Sequence, residues 1–168
     1  MGHYTQTVEK SDSRRDLGGF GMRDKVILLV EDNADDELLT LRALKKNNAT
    51  SEVVVAHDGV EALDYLFATG DYKGRDSAIM PHLILLDLKL PKVDGLEVLR
   101  RLRSDERTKL IPVVVLTSSR EEQDMLDSYG FGANSYVRKP VNFEQFTRTI
   151  EQLKLYWLVL NENPPENA

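Results

Sequence analysis

The sequence predicts an α/β fold, a doubly wound five-stranded parallel sheet with helices on both faces. Three observations carry that prediction. From Lys25 onward, short apolar runs alternate with amphipathic stretches at helical spacing, the pattern of a parallel sheet covered on both sides. Four of these runs end at their carboxyl side in residues suited to phosphate chemistry: Glu31 and Asp32, Asp87, Thr117, and Lys139. The chain has 168 residues, of which 41% are hydrophobic, a size that suits one domain with a sizeable core.

The first strand is read over Val26 to Val30, followed by a helix that begins near Asp35, carries Leu38, Leu41, Ala43 and Leu44, and stops at Asn47 and Asn48. A second strand, Glu52 to Ala56, leads through Asp58 and Gly59 into a helix with Val60, Leu63, Leu66 and Phe67 on one face. Asp58 is a helix cap there rather than a ligand. Residues 68–82 form a long polar surface connection, a length at which loops are often functional. The third strand is Leu83 to Leu86, and Asp94 and Gly95 open a helix with Leu96, Val98, Leu99 and Leu102. Pro112 opens the fourth strand, Glu121 to Tyr129 makes a short helix, and Gly130 and Gly132 turn the chain into a fifth strand ending at Lys139 and Pro140. The last helix runs from Phe143 past Trp157.

Charge and composition exclude several classes of function. Net charge is -6, with acids and bases interspersed, unlike the clustered Lys and Arg of a nucleic-acid surface. No apolar run approaches the roughly 20 residues that span a bilayer, and no signal peptide is visible. The absence of cysteine excludes disulfides and thiolate metal sites and is compatible with a reducing compartment, so a soluble cytoplasmic protein is expected. Residues 1–21 are expected to be a flexible arm, with Met22 a natural start for the folded unit. Residues 161–168 are expected to be a tail after Leu160.

Open parallel sheets bind ligands outside the carboxyl ends of their strands where strand order reverses; for order 2-1-3-4-5 that point lies between the first and third strands. Glu31, Asp32 and Asp87 would sit there. Three carboxylates held together repel by about 4 kcal/mol per pair at 4 Å and an effective dielectric near 20. A hard divalent cation relieves this, and Mg²⁺ suits a site with few protein carboxylates that also holds phosphate oxygens. Taken singly, each residue has a plain explanation: an acid at a strand end usually caps a helix, a Thr after a strand does the same, and a Lys before Pro lies on the surface. Those explanations do not account for four strands ending this way, with Lys139 followed by a proline that can fix a tight turn through a cis bond.

With those residues in view, the chain resembles the receiver domain of two-component response regulators over residues 25–158. The resemblance rests on the runs Leu28 to Asn33, Leu85 to Gly95, Val115 to Ser118, and Lys139 with Pro140. It implies a flavodoxin-like fold with strand order 2-1-3-4-5 and a receiver domain over residues 22–160. Asp87 resembles the phosphoacceptor, and Glu31 and Asp32 the acidic pair that binds Mg²⁺, with the backbone carbonyl of Lys89 completing the metal shell. Thr117 matches the switch hydroxyl, Tyr136 the switch aromatic, and Lys139 the phosphate-contacting lysine. Such a protein takes a phosphoryl group from a histidine kinase and is not otherwise an enzyme. The long third-strand connection, the run Val115 to Arg120 and Tyr156 to Leu158 look similar to single-domain regulators of bacterial and cyanobacterial phytochrome kinases.

No output domain is expected after the last helix, so signalling would run by docking to a downstream protein, by phosphate relay, or by a change of oligomeric state. An interaction module that keeps this shape without phosphorylation would normally lack Asp87, Thr117 or Lys139, and none is missing. A phosphatase-type hydrolase would place a second acid where Lys89 stands. No nucleotide or organic cofactor is implied. On the last helix, Phe143, Phe146, Ile150, Leu153 and Trp157 fall on one face, leaving Leu155, Tyr156, Leu158, Val159 and Leu160 over. A homodimer is expected there, with Tyr156, Leu158 and Val159 at its interface. The alternative is that the chain bends after Trp157 and folds the extra residues back.

Overall fold

Five parallel strands, ordered β2-β1-β3-β4-β5, form the sheet in the computed structural model of the chain. The structure describes residues 25–46 and 51–165; the expected arm over 1–21, the stop at Asn47 and Asn48 and the last three residues of the tail lie outside them. The elements are β1 (Val26–Val30), α1 (Ala34–Lys45), β2 (Glu52–Ala56), α2 (Gly59–Phe67), β3 (Leu83–Leu86), α3 (Gly95–Ser104), β4 (Val113–Thr117), α4 (Glu122–Gly130), β5 (Ser135–Arg138) and α5 (Phe143–Leu155). A short 3₁₀ turn, Gly70–Tyr72, lies in the connection before β3, and a π-helical turn, Tyr156–Leu160, follows α5.

The fully apolar runs are buried along their whole length because both faces of the sheet are covered, and alternate residues serve opposite layers. Leu28, Val30, Ile84, Leu86, Val113 and Val115 pack with Ala62, Leu66, Val98, Leu99 and Leu102 of α2 and α3. Their neighbours Ile27, Leu29, Leu83, Leu85, Val114 and Leu116 pack with Ala43 and Leu44 of α1 and Phe146 and Ile150 of α5. The register pairs Val30 with Leu86 and Leu86 with Val115, which brings the strand ends that carry the candidate residues to one rim.

Polar caps fix where four of the helices begin. Asn33, Asp58, Asp94 and Asn142 each accept a backbone N–H from the first turn of α1, α2, α3 and α5, and each cap is worth about 1 kcal/mol. Asp58 therefore has the role expected of it. At α4 the capping position is Glu121, whose side chain makes no such bond. Two glycines are required by close approach: a Cβ on Gly95 would lie 2.2 Å from the carbonyl oxygen of Asp87, and one on Gly59 would lie 1.8 Å from that of Val93. The first of these lets α3 start directly against the turn that carries Asp87.

Three expectations are corrected here. The bond between Lys139 and Pro140 is trans, since no cis peptide occurs among the described residues. Phe143 does not cover the sheet: it is exposed at the start of α5, one turn before the helix reaches the core at Phe146. Leu158, expected on the exposed interface, is 1% exposed and packs with Trp157 in the layer under α1 and α5. The last turn is π-helical, closed by Asn161 N–H donating to the Tyr156 carbonyl at 2.6 Å, and it docks with both Trp157 and Leu158 on its inner face. The Lys25 ammonium donates to the Leu158 carbonyl and ties the turn to the start of β1. Tyr156 and Val159 stay exposed, at 50% and 46%, beside Leu155 and Leu160.

Candidate functional site

Strand order reverses between β1 and β3, and at the carboxyl rim of that reversal four polar side chains from four different elements meet. Glu31 follows β1, Asp87 follows β3, Lys139 follows β5, and Asp36 lies in the first turn of α1. The Lys139 ammonium donates to Asp87 Oδ2 at 2.8 Å, Glu31 Oε2 at 2.8 Å and Asp36 Oδ2 at 2.9 Å, so all three of its protons are used. Glu31 and Asp87 are buried, whereas Asp32 reaches solvent beside them. Oxygens of Glu31, Asp32 and Asp87 lie within 4.8 Å of one another.

Three carboxylates thus share one ammonium, with a fourth, Asp32, close beside them. A pair of like charges at 4.8 Å costs about 3 kcal/mol at an effective dielectric near 20, so Lys139 cannot neutralise the whole set. Burial pushes the Glu31 carboxyl up to about 7, against the lowering pull of its bond to Lys139. Burial would lower the Lys139 ammonium, but the charge of Asp87 and the bonds to Asp87, Glu31 and Asp36 outweigh it and raise its pKa. The donor set, all hard oxygens with residual negative charge, fits a divalent cation of the Mg²⁺ or Mn²⁺ type.

A pH-dependent response to metal follows from Glu31. Its folded pKa lies above the ordinary 4.5, so its contribution to metal-free stability is complete below about 4.5 and is lost as pH rises through 7. A cation that needs the ionised carboxylate competes with the proton. For a millimolar site, about 10 mM Mg²⁺ should raise Tm by about 3–6 °C at pH 8 and by under about 1 °C at pH 5.5. Asp32→Asn should erase most of the shift at pH 8. Equal shifts at the two pH values in thermal unfolding would show that Glu31 does not take part.

Around this centre the structure places the other expected residues. Thr117 ends β4 with its side chain fully buried, and its Oγ1 accepts the Ser119 N–H at 3.3 Å. Tyr136 packs its ring against the core layer under α2 and α3, and its hydroxyl is buried. The Lys89 N–H donates to Asp87 Oδ1 at 3.3 Å, which brings the Lys89 backbone against the carboxylate. Asp36 is a site residue that the sequence reading missed. A usable signal for Asp36 was its position four residues after Asp32, in a first helical turn whose side chains lean back toward the strand ends.

Comparisons with known proteins show the family of the chain and its fold. The family model of the response regulator receiver domain matches residues 27–151. The probable methanogenesis regulatory protein FilR2 of Methanothrix harundinacea is 45% identical over 139 residues, 83% of this chain and 87% of that protein. Response regulator Rcp1 of Synechocystis is 40% identical over 134 residues, 80% of this chain and 89% of that protein. Its Mn²⁺-bound crystal structure superposes with a TM-score of 0.78 at 38% identity, over 84% of this chain and 99% of that one. The phosphorylated cyanobacterial phytochrome response regulator RcpA gives a TM-score of 0.79 at 42% identity, over 84% and 99%. The bacteriophytochrome response regulator AtBRR is 56% identical, with a TM-score of 0.65 over 82% and 98%. No helix among the described residues is long and apolar enough to cross a membrane.

Proposed function

The chain belongs to the response-regulator receiver family, and from that premise we propose that it accepts a phosphoryl group on Asp87 from a histidine kinase, with Mg²⁺ held by Glu31, Asp32, Asp87 and the backbone carbonyl of Lys89. The observation that carries this reading is the Asp87 carboxylate itself. It is 7% exposed, bonded by Lys139, within reach of two further acids, and at the one place on a doubly wound sheet where ligands bind.

The chemistry is a displacement at phosphorus. A carboxylate oxygen of Asp87 forms a bond to the phosphorus of a phosphohistidine, the bond from phosphorus to the imidazole nitrogen breaks, and its electron pair stays with the kinase histidine. Mg²⁺ supplies charge neutralisation for the phosphoryl oxygens in transfer. Lys139 already lies 2.8 Å from Asp87, so its ammonium need move little to meet the new oxygens. The acyl phosphate adds roughly two negative charges and three acceptors, which Thr117 can meet from the end of β4 as the switch hydroxyl. Tyr136 is the switch aromatic of this reading, with its ring against the core layer under α2 and α3 and its hydroxyl buried.

A phytochrome-type kinase is the proposed donor, supported by the likeness to RcpA and AtBRR, which are phytochrome and bacteriophytochrome response regulators. The test is transfer of labelled phosphate from such a kinase, dependent on Mg²⁺. Failure with kinases and with acetyl phosphate alike would leave a receiver-shaped interaction module instead. A homodimer on the exposed Tyr156 and Val159 surface belongs to the same reading, with Leu158 now beneath it. Light scattering over roughly 1–100 μM should show a dimer that Tyr156→Glu with Val159→Glu disrupts. A wild-type monomer throughout, with and without beryllofluoride, would remove it.

A further inference from the structure

Helix α4 begins without a side-chain cap, and a network reaching back to the phosphoacceptor turn takes the place of one. Asp124, buried in the first turn of α4, accepts from Ser119 Oγ at 2.5 Å, and the same Asp124 oxygen pairs with the Lys89 ammonium at 3.3 Å. Ser119 in turn donates its N–H to Thr117 Oγ1 at 3.3 Å, and its Oγ accepts the Glu121 N–H at 3.3 Å. Lys89 donates its own N–H to Asp87. One continuous chain of contacts therefore runs from Asp87 through Lys89, Asp124 and Ser119 to Thr117. The Tyr136 hydroxyl is buried next to this network, where Ser119, Asp124 and Lys89 all act on it.

We infer that Asp124 is a latch that holds Lys89 and the β4–α4 loop in the resting arrangement, and that a phosphoryl group on Asp87 opens it by taking Lys89 away. The inference rests on the reading that Asp87 is the acceptor. Its physical basis is a competition for one cation. In the resting protein Asp124 offers Lys89 a single negative charge, and Lys89 is two residues from Asp87 on a flexible four-carbon stem. A phosphorylated Asp87 offers about two charges and three oxygens on a group that the Lys89 backbone already touches. Once Lys89 leaves, Asp124 keeps only Ser119, and the uncapped start of α4 loses a tether to the β3 side of the site. Asp124 is thus a positioning residue, acting through Lys89 and Ser119 rather than on the phosphoryl group.

The test uses beryllofluoride with Mg²⁺ as the phosphoryl mimic, and its affinity is measured by titration in four proteins: wild type, Asp124→Asn, Lys89→Met and the double variant. Freeing Lys89 removes the competition, so Asp124→Asn should tighten binding about threefold, the scale of a partly exposed ion pair. In the Lys89→Met background the same substitution should change nothing, and Lys89→Met alone should weaken binding. A merely structural role for Asp124, or a general effect of its charge, would give the same change in both backgrounds, and that result overturns the latch. Tighter or unchanged binding in Lys89→Met also overturns it, and that variant needs no alteration of the buried acid. The underlying reading is checked separately by Asp87→Asn. Beryllofluoride binding that survives in that variant would remove the acceptor assignment, and the latch with it.

Discussion

Asp87→Asn is expected to abolish phosphoryl incorporation, with at least a 100-fold loss of acid-stable, hydroxylamine-labile label from acetyl phosphate or a kinase. An amide oxygen is not a competent nucleophile at phosphorus, and each of the other carboxylates at the rim has a role that keeps it from substituting. Glu31 is buried and bonded to Lys139, Asp36 is bonded to the same ammonium, and Asp32 faces solvent. The variant should remain folded. Asp87 gains about 6 kcal/mol of Coulomb attraction from Lys139 at 2.8 Å and loses about 3 kcal/mol to each of Glu31 and Asp32 at an effective dielectric near 20, so the sum is close to zero. Urea unfolding should place it within about 1 kcal/mol of wild type. Label that persists in the folded variant would mean that a different carboxylate accepts the phosphate.

Lys139→Ala should have the opposite profile, with a large effect on stability. Removing the ammonium leaves Glu31 and Asp87 buried beside Asp36 with no cation, a situation that typically costs about 3–5 kcal/mol. The loss should be greatest near pH 8 and shrink toward pH 5, because burial already holds the Glu31 carboxyl up at about 7, loss of Lys139 removes the bond that pulls it down, and protonation relieves it. Mg²⁺ should stabilise this variant more than it does the wild type, since it becomes the only counter-charge. Denaturant titrations at pH 5.5 and 8, with and without about 10 mM Mg²⁺, contain the whole comparison. A loss under about 0.5 kcal/mol at pH 8 would show that Lys139 does not hold these acids together.

Most of the fold could be read directly from apolar runs and capping residues. Strands β1 and β3 are uniformly apolar because helices cover both faces, and the expected bounds of β2 and β3 match the structure residue for residue. Asp58 and Asp94 are visible as caps because a short acid just before a helical stripe has few other uses. The candidate site was legible for a similar reason: Glu31, Asp32, Asp87, Thr117 and Lys139 each stand at the end of a strand, and parallel strands end on the same side.

Contacts between residues far apart in the chain were not legible. Asp36 and Lys139 are 103 positions apart, and they meet only because α1 packs beside α5 and its first turn faces the end of β5. The network of Asp124, Ser119 and Lys89 likewise depends on α4 docking next to the turn after β3, which no local pattern encodes.

By itself the sequence determined the α/β class, the order of elements and the set of acids, hydroxyl and ammonium at one rim, because periodicity, capping and strand ends are local properties. Only the tertiary structure decided how charge is shared at that rim and which side of the last turn faces inward. Ion pairs are set by distances across the fold, and the burial of Leu158 is set by how the last turn docks on the layer under α1 and α5, which the apolar run Trp157 to Leu160 permits but does not specify.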